Sequence, residues 1–334
     1  MKLGVEDMWG DSLAHYEAIL KLADALAYDI VAVGDVPAGF RDLYLNMAIA
    51  ARETRRAAIT SFVTGPFLRH PLVVANAFST LQDLSGGRMV LGLARGGGNV
   101  LAVGRKPATQ KEMGEYWDAL DDLFAGRPAN YEGRAVSPLH NARSTPVMYS
   151  AFGPRAFQLA AERADGVIMF TDGDLDKTRE QIRQYHQFVK QAGRNPEDVE
   201  IWVTAFCSIR DDRQQALEDI KAYLVTNALT FIHTPDKWAR VPEHIREKLL
   251  KLADAYDYTE HSVVNGNNVR ALNAAGPDVI DYLTSIHTVA GTPSHVKSII
   301  DGLEEMGVSA FITNTSGHAD PYNHLETLAK LVKS

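Results

Sequence analysis

The stretch PVMYSAFGPRAFQLAAERADGVIMFT, residues 146–171, reads as strand, helix, strand. Two short apolar runs, PVMYSAF (146–152) and GVIMFT (166–171), flank an amphipathic segment at 154–163. Pro154 suits the first turn of that helix, because its missing N–H would have been unpaired there anyway. Strands this continuously apolar are expected where a parallel sheet is covered on both faces.

The same unit repeats outward in both directions. Further strands are predicted at 2–7, 29–35, 57–65, 88–94, 200–209 and 308–313, making eight in all. Asp11 or Ser12 is placed to cap a first helix whose apolar positions Leu13, Tyr16, Ile19, Leu20, Ala23 and Leu26 recur at helical spacing. Other helices are predicted at 43–54, 72–84 (stopped by Gly86-Gly87), 110–125, 176–192, 211–232, 294–306 and 322–333. Gly126, Pro128, Gly133, Pro138 and Pro146 punctuate 126–145 as a hairpin or loop excursion, and 233–290 reads as irregular. An eight-fold alternation is best met by a TIM (β/α)8 barrel with insertions near 126–145 and 233–290, forming one domain over 1–334. A doubly wound open sheet is the runner-up and would split more cleanly into halves.

Composition narrows the class. The chain has 334 residues, 46% hydrophobic and 23% charged, which is ordinary globular usage and excludes disorder as the main state. No apolar run reaches the roughly 18 residues of a membrane span. Acids interrupt MKLGVEDMWGDS where a signal peptide would be apolar, so a cytoplasmic protein is expected. A single cysteine, Cys207, excludes an internal disulfide and a multi-cysteine metal site, and it reads as a buried thiol. With 34 basic against 42 acidic residues, the net charge of −8 argues against a nucleic-acid surface.

Barrel chemistry sits at the C-terminal ends of the strands. The positions there are Glu6 and Asp7, Asp35, Val63 and Thr64, Arg95 to Gly98, Ala151 to Gly153, Thr171 and Asp172, Cys207 and Asn314. A partly desolvated Glu6 would serve as a general acid; the alternative is a carboxylate paired with an arginine or capping a helix. Asp35 carries the same two readings. Clustered acids can bind Mg²⁺, but no spaced ligand set singles that out. Gly96-Gly97-Gly98 would let backbone N–H groups approach a phosphate with Arg95 beside them, or would form a flexible turn. Their spacing is not that of a dinucleotide fingerprint, and no helix is predicted directly after them. Ala151 to Ala156 would present a helix N-terminus to an anion, or simply start a helix. The eleven histidines form no metal motif; His70, His233, His261, His287 and His318 read as surface or packed residues in turns and loops. Trp202, Phe206, Phe231 and Trp238 read as core or pocket wall, and no G-x-S-x-G points to a serine hydrolase.

LQDLSGGRMVLGLARGGG (81–98) and GPRAFQLAAERADGVIMF (153–170) closely resemble two signatures of the bacterial-luciferase-like family of flavin- and deazaflavin-dependent oxidoreductases. The branch most similar is that of methylenetetrahydromethanopterin reductase. The likeness continues through KLGVED (2–7), FRDLY (40–44), FVTGPFLRHP (62–71), AGRNPEDV (192–199), WVTAFCSIRDDRQQAL (202–217) and AGTPSHVKSIIDGLEEMGVSAFI (290–312). The resemblance implies a TIM barrel with F420 or FMN at its mouth, the phosphate held near Arg95, Gly96, Gly97, Phe152, Gly153 and Pro154. Asp35, Val63, Thr64, Ala151 and Thr171 would complete the cofactor site. It implies a non-prolyl cis peptide within Phe62-Val63-Thr64. Glu6 coincides with the proton donor of the reductase branch, and Asp35 with an aspartate at the second strand end. Val36 departs from the histidine of relatives that dehydrogenate alcohols or sugar phosphates, and 233–290 departs from the reductase.

The leading expectation is hydride transfer between F420 and a small organic substrate. An FMN-dependent monooxygenase is the rival, and a non-catalytic flavin-binding barrel is the third reading. The family further implies a homodimer or homotetramer.

Overall fold

The computed structural model describes residues 1–7, 12–232, 238–260, 263–315 and 318–333. Asp11, His233 and His261, named above, lie outside the described residues, as does the side chain of Phe231. In chain order the elements begin with β1 (Lys2–Glu6), α1 (Leu13–Ala25), β2 (Ile30–Val33), α2 (Leu43–Glu53), β3 (Ala58–Ser61), α3 (Pro71–Ser85) and β4 (Met89–Leu93). Then come α4 (Gly98–Ala102), α5 (Gln110–Phe124), β5 (Ala129–Tyr131), β6 (Arg134–Val136), β7 (Val147–Ser150), α6 (Pro154–Arg163), β8 (Gly166–Phe170) and α7 (Leu175–Gln191). After β9 (Glu200–Thr204) and β10 (Phe206–Ile209) follow α8 (Arg213–Asp219), α9 (Lys221–Ile232), α10 (Glu243–Asp254), α11 (Asn267–Ala275) and α12 (Pro277–Thr284). The chain closes with β11 (Thr288–Gly291), α13 (Pro293–Glu305), β12 (Ala310–Asn314) and α14 (Pro321–Lys333).

Eight strands close into a parallel barrel in the order β1-β12-β9-β8-β7-β4-β3-β2, and these are the eight strands predicted. The fold is a TIM barrel. Ile30, Ala32, Met148, Ile168, Trp202, Ala310 and Ile312 fill its interior. Alternation along each strand follows from the pleat, so on β1 it is Gly4 and Glu6 that face inward. A Cβ at Gly4 would lie 2.7 Å from the Ile312 side chain, so the interior has no room for one. The opposite strand faces pack on the helices, with Leu3, Val5, Leu91 and Phe311 in the larger core. Ser12 caps α1, accepting from the His15 N–H at 3.1 Å. Residues 129–136 form the expected hairpin, turned through Glu132 and Gly133 at positive φ.

Four expectations need correction. The predicted strand 200–209 breaks after Thr204: β9 stays in the barrel, while β10 pairs in parallel with β11 outside it. An unbroken apolar run does not mark which sheet each half joins. The helix predicted at 211–232 is two, α8 and α9, parted at Ile220. Residues 233–290 are not irregular where described. They hold α10, α11 and α12, which share with α9 a separate core containing Leu224, Ala228, Ile245, Leu249, Leu272, Val279 and Leu283. Gly276 ends α11 and starts α12 at φ 103°, so what reads as loop punctuation is a joint between helices. Last, α4 does open directly after the three glycines. No described helix is long and apolar enough to cross a membrane.

Candidate active site

Glu6 ends β1 and faces into the barrel mouth, buried at 6% exposure. Register pairs it with Asn314 at the end of β12, and the Asn314 amide nitrogen donates to Glu6 Oε2 at 3.1 Å. The Asn314 amide oxygen in turn accepts from the Tyr223 hydroxyl, which α9 brings over the barrel. Asp7, also buried, accepts from the Thr315 hydroxyl at 2.7 Å. Burial raises the Glu6 pKa well above the carboxylate range; Asn314 pulls it back and the nearby Asp7 pushes it further up. Desolvation outweighs the single hydrogen bond, so Glu6 favours its protonated form. A buried acid that holds a proton and faces an open strand end can donate it.

The ends of β3 and β4 make the adjoining wall. The Phe62–Val63 peptide is cis. Asn99 ties this wall together: its amide oxygen accepts from the Gly97 and Val100 N–H groups, each at 2.9 Å, and its nitrogen donates to the Val63 carbonyl at 3.4 Å. The Gly97 N–H is therefore spent within the loop and is not free for a phosphate, which corrects that part of the reading. Arg95 donates its Nε to the Ala108 carbonyl, and its two Nη groups bond to none of the described residues. At the neighbouring strand end, Gly153 (φ 88°, ψ 174°) starts α6 with no side-chain cap and Pro154 behind it. That leaves the first-turn N–H of Arg155 available to an anion. Ala151 is buried and bonds through its N–H to the Ile168 carbonyl at 3.0 Å, holding β7 and β8 level beneath this turn.

A third side is aromatic. Phe152 stacks on Phe170 at 5.4 Å, and His287 lies over Phe170 at 4.4 Å. Phe206 meets Phe170 edge-on at 6.4 Å and stacks on Tyr223 at 5.0 Å. His287, held by Asn227 through a 3.1 Å contact, comes from the segment before β11. The wall thus joins barrel strand ends to the insertion. Phe206 fits the pocket-wall reading; Trp202 is barrel core and Trp238 packs against the insertion's core.

Two predicted site residues turn out to be engaged elsewhere. Asp35 is buried and accepts from Arg69 Nη1 at 2.6 Å, the arginine-paired alternative stated for it. The Thr171 hydroxyl is shared with Thr178 at 2.9 Å and accepts from the Gly173 N–H at 3.2 Å, which fixes the start of α7. Tyr223, Asn99 and His287 were missed as site members. None sits at the end of a predicted barrel strand, and only the folded chain brings them there. His318 is buried rather than superficial, stacked on His324 at 4.2 Å. Burial pushes the Cys207 thiol up to about 12, which removes it as a nucleophile. Among the described residues no three ligating side chains gather as a metal site.

Two observations test the site for a planar, phosphate-bearing group. The Thr64 hydroxyl is buried without a hydrogen-bond partner, and nothing lies within 4 Å of where a Cβ would stand at Gly97 or Gly153. Together with the open Nη groups of Arg95, the residues present fit such a group.

Two curated relatives are 5,10-methylenetetrahydromethanopterin reductases. That of Methanolobus tindarius is 24% identical over 94% of both chains. That of Archaeoglobus fulgidus is 25% identical over 99% of this chain and 98% of the relative. Among solved structures, the coenzyme F420 dependent tetrahydromethanopterin reductase from Methanopyrus kandleri superposes with a TM-score of 0.76. It is 20% identical and the match covers 99% of this chain and 98% of that one, so it shares the fold. Residues 2–310 match the luciferase-like monooxygenase family. That match takes in seven of the barrel strands and reaches the first residue of β12, far more than half of the chain, so the chain belongs to the luciferase-like monooxygenase family.

Proposed function

We propose that the chain is an oxidoreductase that moves a hydride between the deazaflavin coenzyme F420 and a small organic substrate, as a methylenetetrahydromethanopterin reductase does. The observation that carries this is Glu6: a buried acid with its proton favoured, at the mouth of the barrel, in a chain similar over its whole length to such reductases. When bound, the reduced cofactor supplies the hydride. The Nη groups of Arg95 and the N–H of Arg155 would hold its phosphate, and Gly153 would let the backbone come close. Val63, held by Asn99, and Thr64 would hold its ring system, with the unpartnered Thr64 hydroxyl free to bond a polar group. Phe152, Phe170 and His287 wall the substrate side. Glu6 gives its proton to a substrate heteroatom beside the accepting carbon, and the carboxylate left behind is held by the Asn314 amide. Asp35 keeps Arg69 in place.

The whole chain acts as one domain in the cytoplasm. A homodimer or homotetramer is supported by Leu45 and Leu13, exposed along α1 and α2 beside a groove of about 560 Å³; sedimentation of the purified protein measures the number.

Titrating the protein with F420 and with FMN, in both redox states, tests the cofactor. Micromolar or tighter binding of F420 with FMN ignored is expected. Preference for reduced FMN, with oxygen uptake when substrate is added, would make the protein a monooxygenase instead. Glu6→Gln is expected to lower turnover about 10²–10⁴-fold while cofactor affinity stays unchanged. Parental turnover in that variant removes Glu6 from the mechanism, and flavin binding without any turnover would leave only a binding barrel.

A further inference from the structure

Glu6 and Tyr223 belong to different cores. Glu6 ends a barrel strand, whereas Tyr223 stands on α9, the helix whose other faces hold the insertion together. Tyr223 is 1% exposed and its ring lies on Phe206 at 5.0 Å and 13°, so the hydroxyl has little freedom of direction. That hydroxyl donates to Asn314 Oδ1. A side-chain amide has one accepting and one donating end, and a half-turn about its last bond exchanges them. Only one of the two orientations lets Asn314 accept from a phenol and donate to a carboxyl at once.

We propose that Tyr223 is a positioning residue for Glu6: it fixes the Asn314 amide so that the nitrogen, and not the oxygen, faces the Glu6 carboxyl. The inference rests on the reading of Glu6 as the proton donor. Through this contact α9, which packs in the core of the insertion, sets how readily Glu6 releases its proton. Asp7, on the same strand and held by Thr315 from β12, is the charged group that acts on Glu6 among the described residues. An amide N–H stabilises the carboxylate, whereas an amide oxygen turned toward it repels the charge and accepts from the acid. Loss of the Tyr223 hydroxyl therefore makes Glu6 harder to ionise.

The test is a pH titration of the Glu6 carboxyl carbon by NMR, in the cofactor-free full chain labelled at glutamate, with Glu6→Gln identifying the resonance. Tyr223→Phe keeps the ring on Phe206 and removes one oxygen. It is expected to raise the Glu6 midpoint by about one pH unit, the size of one hydrogen bond to a charged group. Asn314→Ala raises it as well, and Tyr223→Phe/Asn314→Ala matches Asn314→Ala alone, since the tyrosine acts only through the amide. A Tyr223→Phe midpoint equal to the parent's overturns the proposal, and so does a double variant whose shift is the sum of the two. If Asn314→Ala does not fold, Tyr223→Phe decides alone. The titration needs no substrate, so it stands apart from turnover: a Glu6→Gln variant that keeps parental turnover defeats the proton-donor reading without touching this result.

Discussion

Asp35 and Arg69 show how one ion pair can occupy a strand end that otherwise invites chemistry. Arg69 Nη1 lies 2.6 Å from Asp35, Nη2 is 3.7 Å from Asp42, and the guanidinium sits 4.8 Å over the Tyr44 ring. Removing one partner of a buried pair strands the other charge, which costs about 3–5 kcal/mol, whereas removing both costs less. Arg69→Met is therefore expected to lose about 3 kcal/mol in denaturant unfolding. Asp35→Asn/Arg69→Met is expected to recover part of it, and strictly additive losses would show that the two do not act as a pair. Glu6 was legible as a candidate because its strand is short and ends in acids. Its partner was not legible as a partner. Glu6 and Asn314 are 308 positions apart and meet only because β1 and β12 close the barrel.

Arg88 does for elements what Arg69 does for residues. It donates to the carbonyls of Ala51 at 2.8 Å and Thr54 at 3.1 Å, at the end of α2, and to the Thr54 hydroxyl at 2.9 Å. It also reaches the carbonyls of Ala57 and Ser85, each at 2.8 Å, so one planar fork joins α2, β3 and α3. Arg88→Met is expected to cost about 3 kcal/mol, read as a lower melting temperature. Arg88→Lys recovers only a fraction, because a single ammonium cannot reach across that fan of carbonyls. A lysine variant as stable as the parent would show that the charge alone suffices. Helix α6 was predicted at its observed bounds, since Pro154 marks its start and the next apolar run its end. Of the insertion helices, α11 and α12 were misread because they are short, meet at Gly276, and draw their stability from the shared core rather than from a long periodic pattern.

At the scale of the whole molecule, stability depends on pH through groups that the fold has buried. His318 and His324 are stacked between β12, α14 and β10, with Arg210 and Asp219 facing them and Thr313 bonded to His324 at 2.8 Å. Burial pushes His318 down from 6.5 to about 4, and His324 is lowered well below its usual value by burial and by His318. Between those two values the unfolded chain binds more protons than the folded one. Stability is therefore complete above 6.5 and is lost as pH falls toward about 4, by about 3 kcal/mol through His318. Glu6 acts the other way: its raised pKa favours the folded state at low pH and gives up that contribution as pH rises through the folded value. Glu6→Gln removes the opposing contribution, and urea unfolding of that variant across this window is expected to show the histidine loss; a flat profile there would mean that the two histidines are not held neutral. The sequence by itself located the eight barrel strands and most of the helices between them, because apolar period, proline starts and glycine stops act within a few residues. Only the tertiary structure decided that β10 leaves the barrel for β11, that Tyr223 reaches Asn314, and that burial raises the proton affinity of Glu6. Strand pairing joins positions hundreds of residues apart, and a carboxyl's proton affinity is set by the water its packed neighbours exclude.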